Sequence, residues 1–247
     1  SKVMSDIAQQ PLEQQREQEP KKETVALWGD SLAKGVIWNG QRGRHAYAQE
    51  TAVAVAEREL DIRIINRARF GYTAPQGLAL MEKDLDGGMT ADAAVIEFGG
   101  NDCNFNWQAI SDDPEAEHQP NTLPHVFADT LRRMVTLLRE RGIRPILMTL
   151  PPIDAEKYFR FLVGDKLNAA NILRWLGDKQ RIYRFQEMYS LLIERVARQM
   201  QCMLVDLRQS CLLDRDMFFM LCDDGLHLTD EGQRFIGAQV VSLVREG

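Results

Sequence analysis

Short apolar runs alternate with longer amphipathic segments through most of this chain. Continuous apolar and β-branched residues predict buried strands over residues 24–29, 62–66, 92–100, 144–152 and 202–207. Apolar residues at helical spacing predict helices over residues 45–60, 75–85, 122–141, 181–200 and 229–245. Apolar strands separated by helices are typical of a parallel sheet covered by helices on both sides. The pattern therefore predicts an α/β fold with a five-stranded parallel sheet.

Three segments fall outside this alternation. Residues 1–22 are rich in Gln, Glu and Lys, which predicts a polar N-terminal tail, disordered or peripheral, ahead of a single domain over residues 23–247. Residues 104–124 form a polar insertion after the third strand, and residues 153–180 form a longer connection after the fourth. We expect no catalytic role for the tail.

Composition and charge exclude several classes of protein. Of the 247 residues, 45% are hydrophobic and 27% are charged, as in an ordinary soluble protein. A net charge of −6 argues against a nucleic-acid partner, because phosphate binding needs basic patches. No apolar run approaches the roughly 18 residues of a membrane helix. The four cysteines show no CxxC spacing, so we expect packed or free thiols and a cytoplasmic location, unless a signal peptide has been removed.

Residues of catalytic type follow the predicted strands. Ser31 comes directly after the first strand, Gly71 lies in the loop after the second, and Asn101 follows the third. Asp224 and His227 come after the fifth strand and before the last helix. Because ligands bind at the carboxyl ends of parallel strands, we expect these residues to share one edge of the sheet.

Their chemistry fits nucleophilic acyl transfer. A serine hydroxyl becomes an effective nucleophile when a positioned base accepts its proton, and His227 can do so near neutral pH. Asp224 can fix the imidazole tautomer and stabilise the imidazolium, which completes a Ser-His-Asp triad. The backbone N–H groups of Ser31 and Gly71 and the side-chain amide of Asn101 are candidate donors to the developing oxyanion.

This arrangement resembles the SGNH (GDSL) esterase/lipase family. The matching blocks are GDSL at residues 29–32, Gly71, GGND at residues 99–102 and DGLH at residues 224–227, in the order of the family. The resemblance implies a flavodoxin-like, three-layer α/β/α fold. It also implies ester hydrolysis by the serine, the histidine and its aspartate, with an oxyanion hole from the serine, the glycine and the asparagine.

The leading hypothesis is a serine esterase for small acyl esters, including acetyl groups on sugars. A thioesterase or lysophospholipase with the same machinery, an acyltransferase, and a non-catalytic carbohydrate- or partner-binding protein on this fold are the alternatives. The chain has no phosphate-binding loop, dinucleotide fingerprint or HExxH motif, and His118 and His125 are interpreted as surface imidazoles. We therefore expect neither a metal nor a cofactor. The sequence leaves the oligomeric state open.

Trp107, Asp154 and Tyr158 are candidate substrate contacts, because they follow the third and fourth strands at the functional edge. The segments around them are rich in Asp, Glu, Asn and Gln. We therefore expect aromatic faces within a polar surround and no apolar trough. Such a surface favours acetyl or propionyl esters of polar alcohols over long acyl chains, whose binding depends on buried CH₂ groups.

Overall fold

A parallel five-stranded sheet forms the centre of the molecule. The computed structural model describes residues 2–9, 11, 21–164 and 166–247. The strands of this sheet, numbered along the chain, are β1 (Thr24–Gly29), β4 (Arg63–Asn66), β5 (Ala93–Glu97), β6 (Arg144–Met148) and β7 (Met203–Val205). They lie in the order β4-β1-β5-β6-β7. This is the flavodoxin-like order, and it confirms the predicted α/β fold.

Helices cover both faces of the sheet and complete the predicted three layers. One face packs against α4 (Ala74–Asp86), α6 (Pro124–Glu140) and α9 (Arg181–Met200). The opposite face packs against α3 (Ala52–Leu60) and α11 (Asp230–Glu246). The shorter helices are α1 (Lys2–Ala8), α2 (Ser31–Lys34), α5 (Trp107–Asp112), α7 (Ala155–Val163), α8 (Ala169–Leu176), α10 (Leu207–Leu213) and a 3₁₀ turn (Met217–Met220).

Alternate side chains of β1 enter the cores on the two faces. Ala26 and Trp28 pack with α4 and α6, whereas Val25 and Leu27 pack on the opposite face. All four side chains are buried, which explains why this strand is a continuous apolar run in the sequence.

The predicted helix over residues 45–60 is wrong in its first part. β2 (Val36–Asn39) and β3 (Arg44–Tyr47) form an antiparallel hairpin, and α3 begins only after it. The hairpin loop spans residues 40–43 and ends with Gly43 at φ +63°, and the Asn39 side chain accepts hydrogen bonds from the backbone N–H groups of Gln41 and Arg42. Turn chemistry therefore decided the local structure, in spite of the helical spacing of the alanines that follow.

Half of the tail predicted over residues 1–22 lies outside the described residues, and α1 falls within the described half. The polar insertion contains α5, and the longer connection contains α7 and α8, none of which was predicted.

The four cysteines are free thiols. Among the residues described, no helix is long and apolar enough to span a membrane.

The topology creates a crevice between β1 and β5. The connection from β1 to β4 passes through α3 on one face, and the connection from β5 to β6 passes through α6 on the other. In register, Gly29 at the end of β1 is opposite Glu97 at the end of β5. In open parallel sheets, ligands bind at the carboxyl ends of the strands where the connections diverge in this way.

Candidate active site

Ser31 is the first residue of α2, immediately beyond the end of β1, and it lines a pocket at this crevice. The N-cap is Asp30, whose carboxylate accepts a hydrogen bond from the Leu32 N–H at 3.1 Å. The approach of β5 requires glycine at position 29, because a Cβ there would lie 2.7 Å from Glu97 Oε2. The sharp turn from strand to helix thus places the serine hydroxyl at the edge of the sheet.

Two buried carboxyl groups lie directly behind the serine. Asp30 and Glu97 are 4% and 2% exposed, and Glu97 Oε2 accepts a hydrogen bond from the Asp30 N–H at 3.1 Å. Burial raises the pKa of Glu97 well above its usual range, and the charge of Asp30 and its side-chain hydrogen bond raise it further. Burial also raises the pKa of Asp30. Glu97 was not predicted as a site residue, although a glutamate inside an apolar strand was a signal.

The three candidate oxyanion donors follow three different strands of the sheet, β1, β4 and β5. Asn101 lines the pocket, and its Nδ2 donates to the Tyr72 carbonyl at 3.0 Å, which ties its loop to the loop of Gly71. Gly71 has φ +77° and is exposed, outside the residues that line the pocket. Within residues 21–164 and 166–247, the N–H groups of Ser31 and Gly71 have no hydrogen-bond partner. Both are therefore available to a ligand, as is the second Nδ2 hydrogen of Asn101.

Asp224 and His227 form a hydrogen-bonded pair on the turn before α11. Nδ1 of His227 lies 2.5 Å from Asp224 Oδ2, while Asp224 Oδ1 accepts the N–H groups of Leu226 and His227, each at 3.0 Å. Burial by itself raises the pKa of Asp224. The hydrogen bond and charge of His227 and the two backbone donors outweigh it, so this pKa lies below its ordinary value. With Asp224 ionised, Nδ1 carries the proton and Nε2 is left free to accept one.

The turn that holds this pair is fixed by backbone contacts. Gly225 adopts φ +71°, and its carbonyl accepts a hydrogen bond from the Asp154 N–H at 2.9 Å. The His227 carbonyl accepts a hydrogen bond from the Cys222 N–H at 2.7 Å. His227 lines the same pocket as Ser31 and Asn101, so the structure brings these three predicted residues together.

The pocket beside Ser31 has a volume of about 120 Å³ and a mostly apolar wall. The expectation of a polar surround without an apolar wall is therefore wrong. Acidic residues of the insertion are exposed, while its aromatic residues turn inward and pack with residues of the longer connection. The apolar side chains that line the pocket in this region are Phe105, Trp107, Ile153, Tyr158, Ile182, Phe185 and Leu226.

The three candidate substrate contacts differ in position. Trp107 and Tyr158 line the pocket at 6% and 4% exposure. Trp107 Nε1 donates to Asn104 Oδ1 at 2.8 Å, and Asn104 Nδ2 donates to the Tyr158 hydroxyl at 2.9 Å. Burial raises the pKa of Tyr158 to about 12, so its hydroxyl stays protonated. Asp154 lies outside the pocket lining, and its carboxylate instead caps α7 by accepting the Lys157 N–H at 3.1 Å.

A second imidazole, which was not predicted, lies beside His227. His45 on β3 is 4.9 Å from the His227 ring, measured between centroids, with the ring planes at 65°. Burial lowers the pKa of His45, and the charge of His227 lowers it further. The sequence signal is the turn-forming segment at residues 39–43, which indicates a tight loop but not what the residues beside it contact.

Comparison with known proteins identifies the family. The model of the GDSL-like lipase/acylhydrolase family matches residues 27–235, which include the serine and the aspartate–histidine pair. The chain belongs to this family. As a GDSL-type enzyme, it is a hydrolase of carboxylic esters.

Individual relatives of this GDSL-like acylhydrolase are distant but cover it almost completely. Isoamyl acetate-hydrolyzing esterase of Saccharomyces cerevisiae is 25% identical over 225 residues, 90% of this chain and 86% of the relative. A lipase/acylhydrolase from Enterococcus faecalis superposes with a TM-score of 0.61 at 20% identity, covering 91% of this chain and 96% of the other. Axe2, an acetylxylan esterase from Geobacillus stearothermophilus, has a TM-score of 0.60 at 19% identity, with 90% and 94% covered. These two structural matches establish the fold alone.

Proposed function

We propose that this GDSL-type hydrolase is a serine esterase for short acyl esters, with Ser31 as nucleophile, His227 as base and Asp224 as the partner of the base. The observation that supports this most strongly is the 2.5 Å contact between Asp224 and His227 Nδ1, in a pocket that Ser31 also lines. An ionised, buried carboxylate at Nδ1 orients the ring and leaves Nε2 free to accept the serine proton. Asn101 completes the set from the neighbouring strand end.

In the proposed reaction, Ser31 Oγ attacks the ester carbonyl carbon while its proton moves to His227 Nε2. The carbonyl oxygen becomes an oxyanion that accepts hydrogen bonds from the N–H groups of Ser31 and Gly71 and from Asn101 Nδ2. The alcohol then leaves with the proton from His227, and Ser31 holds the acyl group. Water attacks this acyl-enzyme by the same route and regenerates the free serine.

The pocket supports short acyl groups as substrates. Its volume of about 120 Å³ is small, and buried aromatic side chains form part of its wall. Each extra CH₂ would contribute only about 0.8 kcal/mol and would have to displace packed side chains. The yeast relative is named for an acetate ester, and an acetylxylan esterase shares the fold. Acetyl esters, including acetylated sugars, are therefore the substrates we propose.

A chain-length series tests this proposal. We expect kcat/KM for p-nitrophenyl esters to be highest with acetyl or propionyl groups and to fall beyond butyryl, with isoamyl acetate and acetylated xylo-oligosaccharides compared in parallel. Ile182→Ala enlarges the pocket and should shift the optimum to longer chains. The matched control is Ile172→Ala, which truncates a buried residue of the same core outside the pocket lining and should leave the optimum in place.

The same series separates the alternatives. If octanoyl or longer esters are hydrolysed best, the short-acyl proposal is contradicted and the lysophospholipase alternative is favoured. If acyl-thioesters of every length exceed the matching oxygen esters in kcat/KM, the thioesterase alternative is favoured. A folded protein without activity on any of these esters would contradict the esterase proposal itself.

A further inference from the structure

The histidine pair at the edge of the pocket has the composition of a metal site. In the part of the chain that the structure describes, donor atoms of His45, Asp224 and His227 lie within 4.8 Å of one another. Two imidazoles and a carboxylate are ligands that Zn²⁺ prefers. Nothing in the proposed hydrolysis uses His45, so its position beside the base needs a separate explanation.

The hairpin holds His45 in place from two sides. The Trp38 ring on β2 packs edge-on against it at 4.9 Å, and Trp38 is its direct partner in the hairpin register. The Phe70 ring packs on it at 4.9 Å from the loop after β4. These contacts restrict the His45 imidazole. Its side chain therefore loses less conformational entropy when a ligand binds than a free surface histidine would lose.

The surroundings of His227 also favour a metal. Its Nδ1 is hydrogen-bonded to Asp224, which leaves Nε2 as the free ring nitrogen. A histidine that ligates zinc through one nitrogen commonly donates its other N–H to a carboxylate in this way, which orients the ring and makes it a stronger ligand. Tetrahedral zinc with bonds of about 2.0–2.1 Å needs its ligand atoms about 3.4 Å apart. The ring centroids of His45 and His227 lie 4.9 Å apart. Binding of the cation therefore requires a small rotation of the His45 ring within its contacts with Trp38 and Phe70.

We propose that a divalent transition-metal cation of the zinc type binds between His45 and His227, with Asp224 supporting His227, and that it inhibits the enzyme reversibly. The cation occupies the nitrogen of His227 that would otherwise accept the Ser31 proton. Water fills the coordination positions that the protein leaves open. The inhibition rests on the proposed role of His227 as base, whereas the binding of the cation does not.

The test combines metal binding with activity in the purified protein. Wild type, His45→Ala and His125→Ala are titrated with ZnCl₂ in a non-chelating buffer, and the hydrolysis of p-nitrophenyl acetate is followed. His125 lies exposed at the start of α6, away from the pocket, and serves as the matched histidine control. In parallel, CoCl₂ is added to each protein, and the visible absorption of tetrahedral Co²⁺ reports binding without any need for turnover.

We expect zinc to inhibit wild type and His125→Ala equally, with reversal by EDTA, and the inhibition constant to rise at least about tenfold in His45→Ala. One Co²⁺ per chain should bind wild type and His125→Ala with tetrahedral absorption, which is lost in His45→Ala and in His227→Ala. Equal zinc sensitivity in all active proteins, activation by zinc, or Co²⁺ binding that survives both substitutions would overturn the proposal. If wild type is inactive on every ester, the proposed function fails, and the Co²⁺ titration still decides the metal site.

Discussion

Asp224 fixes which nitrogen of His227 accepts a proton. Its substitution by asparagine keeps an oxygen for the backbone N–H groups of Leu226 and His227 but replaces the acceptor at Nδ1 with an amide donor. The ring then takes the tautomer with its proton on Nε2, which cannot act as the base. We expect Asp224→Asn to lower kcat for p-nitrophenyl acetate by on the order of 10⁴ with little change in KM, and His227→Ala to cost more. A loss below about tenfold would contradict the role of Asp224.

For individual residues, their position directly after predicted strands was enough to predict most of the candidate site. Ser31, Asn101 and His227 follow separate strands, and the fold brings them to one pocket because parallel strands end at one edge. His45 could not be predicted in this way, because it belongs to a hairpin whose contact with His227 is long-range. Glu97 ends an otherwise apolar strand, and an apolar run predicts burial but no site residue.

The turn from Asp224 to His227 tolerates only glycine at position 225. A Cβ there would lie 2.4 Å from the Asp154 carbonyl oxygen, and φ is +71°. Gly142 has nearly the same φ, +72°, with no atom within 4 Å of the added Cβ. Alanine at either position incurs about 1–2 kcal/mol of left-handed strain, and at position 225 it also collides with α7.

We therefore expect Gly225→Ala to lower Tm further than Gly142→Ala and to reduce kcat, because the collision displaces the turn that holds His227. Gly142→Ala should keep wild-type kcat. The measurements are thermal unfolding by circular dichroism and steady-state hydrolysis of p-nitrophenyl acetate. Equal kcat in the two variants would show that this turn does not position the base.

The sequence predicts a helix well where apolar residues recur at regular helical spacing. It does not predict the short helices that depend on packing against residues far away in the chain. α9 is amphipathic over its whole length and matches the predicted residues 181–200. α5 lies in a polar insertion, whereas α7 and α8 are short apolar-rich helices in a connection for which the sequence predicts no element. The apolar faces of these three helices pack on one another and on the pocket wall. Those short helices derive their stability from tertiary packing rather than from local propensity.

For the molecule as a whole, Asp102 links the stability of the fold to pH. It is fully buried, its Oδ1 accepts the Ala74 N–H at 2.8 Å and the Thr122 hydroxyl at 2.7 Å, and Oδ2 has no partner among the described residues. Burial raises its pKa from 3.8 to about 6. Between these values the folded chain keeps a proton that the unfolded chain loses, so the free energy of unfolding falls as pH rises through this window.

Asp102→Asn removes this titration while keeping the acceptor Oδ1. We compare the free energies of unfolding of wild type and the variant. Their difference, wild type minus variant, should fall by about 3 kcal/mol between pH 3.8 and pH 7 and stay constant above pH 7. Urea unfolding of both proteins across this range measures the difference. Parallel pH profiles would show that burial does not raise the pKa of Asp102 in the folded chain.

The proposed chemistry requires the fold to bring a nucleophilic serine at the end of β1 to a histidine more than 190 residues later in the chain. A fluorophosphonate probe followed by peptide mass spectrometry tests it most directly, because the reagent marks only a hydroxyl activated by its base. We predict one adduct per chain, on Ser31, with loss of esterase activity in proportion to labelling and no adduct in Ser31→Ala. An adduct on any other residue, or full activity after Ser31 is labelled, would rule out Ser31 as the nucleophile.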